Sequence, residues 1–332
     1  MSDGRNQPSA SQVNSSQTTV LVDAHVHLYD CFDLLDYFDA ARRNFSAIAQ
    51  SLSAATLTDS TVSGATFSGT TFPDSSESGT PLPGANPVRN CLLCVDLQDK
   101  SLTAEQERLS QIPGYTYSDC HSMEPFSGCV THNESGFAIE MIWGHQIVTA
   151  ENLELLCFNL PTDVQRGIAL ADLLEIMNHE DAFAILPWGF GKWWGRRGRV
   201  VDQTLVQYGV NDPNTQKDLA LFVGDNGGRP RLTASGFPIP GLIDQAVKAG
   251  IWNISGSDPL PFSAQASKPG SHGVILQGAY DASRPHRSVN ALLRALSEQP
   301  GVFGAGERWV DFFKSQVRMQ LRKSQSDATG HA

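Results

Sequence analysis

The sequence predicts an α/β fold, a distorted TIM-like (βα)7 or (βα)8 barrel built as a single domain. Three observations carry that expectation. Short apolar segments of strand character recur along the 332 residues, helical patterns lie between several of them, and polar clusters follow predicted strand ends. Such barrels place their chemistry at the carboxyl ends of their strands.

Residues 1–19 are rich in Ser, Gln and Asn and read as a disordered tail without the apolar centre of a secretion signal. The barrel is expected over 20–323, with a second disordered tail at 324–332. Val20-Leu21-Val22 opens the first strand. Phe32 to Leu52 reads as a helix, with Leu34, Leu35, Phe38, Ala41, Phe45 and Ile48 at helical spacing. Residues 53–87, dominated by Ser, Thr, Gly and Pro, form a low-complexity insertion with too little apolar area to offset its ordering entropy. Further strands are expected at 90–97, 137–143, 154–160, 182–187, 219–223, 250–255 and 273–277. Helices are expected at 165–178, 241–249 and 306–323. The short link within 137–160 predicts a local antiparallel excursion.

Composition narrows the function. Hydrophobic residues make up 40% of the chain, and the formal net charge is −11, which disfavours nonspecific binding to nucleic acid or to an anionic membrane surface. No run of about 18 apolar residues is present, so no spanning helix is expected. The six cysteines are scattered and point to reduced thiols in the cytoplasm. Cys91 and Cys94 have C-x-x-C spacing, but on a strand they face opposite sides and read as core residues.

The first functional candidate is Asp23-Ala24-His25-Val26-His27. Residues two apart on a strand share a face, so His25 and His27 can converge on a metal ion. The second is Gly256-Ser257-Asp258-Pro259, where Asp258 is a ligand or a general base, although Ser-Asp also caps helices. The third runs from Pro187 to Arg199 and combines Trp188, Trp193 and Trp194 with Lys192, Arg196, Arg197 and Arg199. In an acidic chain this basic stretch suits an anionic guest, with Lys192 as a point charge and Arg196 or Arg197 as a clamp. Arg stacked on Trp in a rigid surface loop accounts for the same letters. The fourth candidate is Gly224-Asp225-Asn226-Gly227-Gly228-Arg229, where Asp225, Asn226 and Arg229 can meet substrate and where a tight turn is the plain alternative. His145, Glu151 and Glu154 are further ligand candidates, and His272 follows the Asp258 loop.

The pairing of D-A-H-V-H with G-S-D resembles the polymerase and histidinol phosphatase (PHP) family of metal-dependent hydrolases, with the amidohydrolases as the second resemblance. The likeness runs loosely from Val20 to about Leu296. It implies a distorted βα barrel whose His, Asp and Glu residues hold up to three metals for phosphoester hydrolysis. Gln146 stands where the PHP pattern has a ligating Glu, Trp188 where it has a His, and Pro259 and Leu260 where another His is common. The resemblance thus implies a reduced centre of His25, His27 and Asp258, holding one divalent ion (Zn, Mn or Fe). The expected function is a metal-dependent hydrolase of a small anionic substrate. The alternatives are a non-catalytic degenerate barrel that binds an anionic metabolite or partner, and an amidohydrolase-type C–N hydrolase.

Overall fold

The computed structural model describes residues 17–58, 86–120, 124–160, 164–189, 191–209, 219–227 and 241–304, together with Lys314 and Arg318. Most of the expected N-terminal tail, the insertion beyond Thr58, Arg229, the C-terminal tail and nearly all of the expected helix at 306–323 lie outside the described residues.

The chain runs β1 (Thr18–Val26), α1 (Leu34–Thr58), β2 (Val88–Cys94), α2 (Leu102–Ser110), β3 (Tyr115–Asp119), β4 (Ser127–His132), β5 (Ala138–Val148) and β6 (Glu154–Phe158). It continues through α3 (Leu170–Ile176), β7 (Phe183–Pro187), α4 (Arg196–Tyr208), β8 (Ala220–Gly224), α5 (Gly241–Lys248), a 3-10 turn at Ser263–Ser267, β9 (His272–Gly278), α6 (Pro285–Arg294) and β10 (Gly301–Gly304). No described helix is long and apolar enough to cross a membrane.

The closed TIM-like (βα)7 or (βα)8 barrel expected from the sequence does not form. The ten strands make one mixed sheet curved into an open half-barrel, in the order β10-β9-β1-β2-β5-β6-β7-β8, with β4 also on β5 and β3 on β4. Among the described strands only β1–β2, β2–β5 and β7–β8 pair in parallel. The physical reason lies in the connections. A turn at Thr149–Asn152, with Asn152 at φ 59°, is too short for a crossover and sends β6 back along β5. β9 likewise enters antiparallel to β1. The antiparallel excursion expected within 137–160 is this β5–β6 pair.

Side-chain alternation divides the core. Val20, Val22, Cys91, Leu93, Ile142 and Ile185 pack on the concave face, which α6 covers with Val289, Leu292 and Leu293. On the outer face Leu21, Leu92, Cys94 and Met141 pack with Phe38 and Phe45 of α1. Cys91 and Cys94 therefore do face opposite sides. Ile147, Leu155, Ala184 and Val223 pack with α3, α4 and α5. Asp33 starts α1 by accepting hydrogen bonds from the backbone of Leu35 and Asp36 at 2.9 and 3.1 Å.

Two irregularities build the site. The pairing register of β1 shifts between Asp23 and Val26. Ahead of the shift the odd-numbered Leu21 lies on the helix side, and beyond it the even-numbered Val26 and Leu28 do. The bulge thereby turns His25 and His27 to the concave face, which regular alternation would have denied them. The second irregularity is the segment expected as a strand at 250–255, which makes isolated bridges instead. Ile254 N donates to Val223 O at 2.8 Å, Ala24 N to Ser255 O at 3.2 Å and Asp258 N to His25 O at 2.8 Å. This segment spans the interval between β8 and the carboxyl end of β1, and it delivers Asp258 beside His25.

Candidate metal centre

His25, His27 and Asp258 meet at the carboxyl end of β1, with one ligand atom from each lying within 4.8 Å of the others. His25 Nε2 is 3.2 Å from His27 Nε2 and 3.7 Å from Asp258 Oδ1. Two donors of a tetrahedral zinc ion, each about 2.0–2.1 Å from it, stand roughly 3.3 Å apart. The cluster has the spacing of a ligand set. Among the described residues no other His, Cys, Asp or Glu joins it at that spacing.

Each ligand has a supporting contact. His27 Nδ1 lies 2.7 Å from Asp96 Oδ1, whose other oxygen accepts the Leu28 backbone N–H at 2.5 Å. Tyr29 stacks on the His27 ring at 4.9 Å. Asn226 Nδ2 donates to Asp258 Oδ2 at 3.0 Å and to Trp188 O at 3.2 Å, leaving Asp258 Oδ1 directed to the imidazoles. Gln146 Oε1 sits 3.0 Å from His25 Nε2, because Ile142, Gly144 and Gln146 share one face of β5 by strand alternation. Asp23, fully buried behind the site, accepts hydrogen bonds from Ser257 N at 2.7 Å and Gly270 N at 2.8 Å. It fastens the Asp258 segment to β1.

Electrostatics follow from burial and charge. Burial lowers the pKa of His25 and so favours its neutral, ligating form. Burial also opposes the charged form of His27, but the hydrogen bond and charge of Asp96 outweigh it and raise the pKa. Desolvation disfavours the Asp258 carboxylate, yet His25, His27, Lys192 and Lys268 together hold its pKa below the usual range. An ionised carboxylate facing a neutral imidazole suits a divalent cation.

The other expected residues separate into two groups. Lys192 lies close enough for its charge to act on Asp258, and it pairs with Glu154, whose own charge reaches both histidines. Trp188 is bound to the site through its carbonyl, and Asn226 through its amide. Arg196 is exposed on the first turn of α4, and Arg197 donates to Gly191 O at 2.9 Å, tying down its own loop. Asp225 accepts the backbone N–H of Asn226 at 3.0 Å, which is turn chemistry. Glu151 accepts the Leu170 N–H at 3.0 Å and so caps α3, and His272 is buried at the start of β9.

Asp96 was not singled out by the sequence reasoning, and Gln146 figured there only as a departure from a pattern. The available signal was position, since Asp96 follows the apolar end of β2 and reaches His27, and Gln146 lies near the end of β5 and reaches His25.

No protein-family model and no curated protein matches the chain. A solved structure, PsfC from Pseudomonas syringae PB-5123, is similar at 11% identity and a TM-score of 0.48, covering 92% of this chain and 99% of that one. The functional reading therefore stands on the geometry of the site.

Proposed function

We propose that the protein is a metal-dependent hydrolase that holds one divalent ion, zinc, manganese or iron, and acts on a small anionic substrate. The observation that carries this reading is the meeting of His25, His27 and Asp258 at ligand spacing on the concave face. A divalent ion supplies a Lewis acid and makes bound water more acidic. His25 and His27 offer Nε2 atoms, Asp258 offers Oδ1, and Gln146 Oε1 stands at hand as a fourth donor. Asp258 also serves as proton acceptor, with Asn226 holding its second oxygen in place. Lys192 gives an otherwise acidic chain a cation beside the site, and the Trp188 carbonyl holds the Asn226 amide that steadies Asp258. The resemblance of D-A-H-V-H and G-S-D to the PHP hydrolases supports phosphoester hydrolysis over other bond types.

The six cysteines are all free, which supports a reducing compartment such as the cytoplasm. The net charge of −11 supports a small-molecule substrate over nucleic acid or an anionic membrane.

Metal analysis of the purified chain tests the proposal. Near-stoichiometric zinc, manganese or iron is expected in the wild type and its loss in the double variant His25→Ala, His27→Ala. Turnover of simple phosphomonoesters should require the ion. A metal-free wild type whose melting is indifferent to both chelator and added metal would overturn the reading.

A further inference from the structure

We infer that Asp96 is a positioning residue that sets the tautomer of His27, keeping the proton on Nδ1 and turning a bare Nε2 toward His25. Its place in the fold sets the contact. Asp96 stands just past the end of β2, where one carboxylate oxygen lies 2.7 Å from His27 Nδ1 and the other 2.5 Å from Leu28 N. Leu28 N–H can only donate, and an ionised carboxylate can only accept. The Nδ1 atom facing Oδ1 must then carry the proton. Both side chains are 8% exposed, so water offers little competition for the contact. Tyr29, stacked at 4.9 Å and 22°, fixes the plane of the same ring.

The consequence for the other ring nitrogen is direct. With Nδ1 protonated, the neutral imidazole has its lone pair on Nε2, which lies 3.2 Å from His25 Nε2 inside the three-residue cluster. A carboxylate behind a ligating histidine orients the ring and strengthens its donor. This consequence for metal affinity rests on the hydrolase reading, whereas the tautomer itself does not.

Asp96→Asn separates the two. The Leu28 N–H still requires an oxygen, so the new amide turns its NH2 toward His27. Nδ1 becomes an acceptor and the proton moves to Nε2, from which it must be displaced before that atom can ligate. The experiment uses the full chain, stripped of metal by chelator and labelled with 15N in histidine, in mildly alkaline solution where the ring is neutral. Long-range 1H–15N spectra are expected to show the Nδ1–H form of His27 in the wild type and the Nε2–H form in Asp96→Asn. Zinc titrated into the same samples should bind about 10–100-fold more weakly to the variant. An Nε2–H wild type, or a folded variant that keeps the Nδ1–H form, overturns the inference. If the variant does not fold, the wild-type tautomer decides alone. If both tautomers are as expected and neither protein binds zinc, the positioning role stands and the hydrolase reading falls.

Discussion

Gly256 controls how closely the segment carrying Asp258 approaches β1. A Cβ there would lie 2.3 Å from His25 N and 2.7 Å from His25 Cβ, too close for either atom to remain in place. Gly256→Ala should push the segment off β1, destabilise the protein by about 1–3 kcal/mol and weaken zinc binding by at least about tenfold. Thermal melting and zinc titration read the two effects, and unaltered affinity would show that the segment does not set ligand spacing. At the opposite end of the residue scale lies Glu140, on the outside of the chemistry. Burial, only partly offset by the Tyr280 hydroxyl and Arg89, raises its carboxyl from 4.5 to about 7. Between those values the folded state keeps a proton that the unfolded chain has released, so stability declines as pH rises through that window and stays reduced above it. Glu140→Gln should remove that slope, worth up to about 3 kcal/mol above pH 7, and denaturant melts across pH would measure it. The histidine pair and Asp258 were legible because strand alternation and a G-S-D turn leave short local patterns. Asp96 was not, since its meaning depends on β2 lying against β1, a fact no local pattern in Cys94-Val95-Asp96 contains.

Among the elements, α6 shows how a distant residue completes a helix. Its N-cap position, Arg284, makes no side-chain cap, and Pro285 follows it. The orphan N–H groups of His286 and Arg287 instead donate to Glu124, 2.8 and 2.9 Å away, and Ser127 Oγ adds a third bond to the same carboxylate. Glu124→Ala should cost about 1–2 kcal/mol, while Glu124→Gln, which retains an acceptor, should cost less. Equal melting temperatures for the two variants would deny the capping role. The elements also show where the sequence reading stopped. Strand positions such as 154–160 and 182–187 were readable from apolar runs, and the short link within 137–160 gave the direction of the first, but the direction of the second was not readable. A run such as Phe183–Pro187 reads the same in either direction, and the turn at Thr149–Asn152 reverses β6 through a backbone conformation. The bulge in β1 was equally hidden, because it changes which face His25 occupies without changing a letter.

The whole molecule is an open sheet whose first strand lies near its middle and whose site joins that strand to a segment more than two hundred residues later. Backbone bonds from Ala24 N to Ser255 O at 3.2 Å and from Asp258 N to His25 O at 2.8 Å hold the 253–258 segment on β1 together with the Asp23 carboxylate, and Ile254 N to Val223 O at 2.8 Å holds it on β8. An ion shared by His25, His27 and Asp258 would add a cross-link at the same place. Binding to the folded state alone stabilises it by mass action, about 2.7 kcal/mol when free metal is a hundredfold above its Kd. Zinc should therefore raise the melting temperature of the wild type by several degrees and chelator should reverse the gain. The rise should vanish in the double variant His25→Ala, His27→Ala, and hydrogen exchange should place the added protection on β1 and on residues 253–258. Protection spread evenly over α3, α4 and α5 instead would mean that zinc acts elsewhere, and that the cluster does not tie β1 to the 253–258 segment.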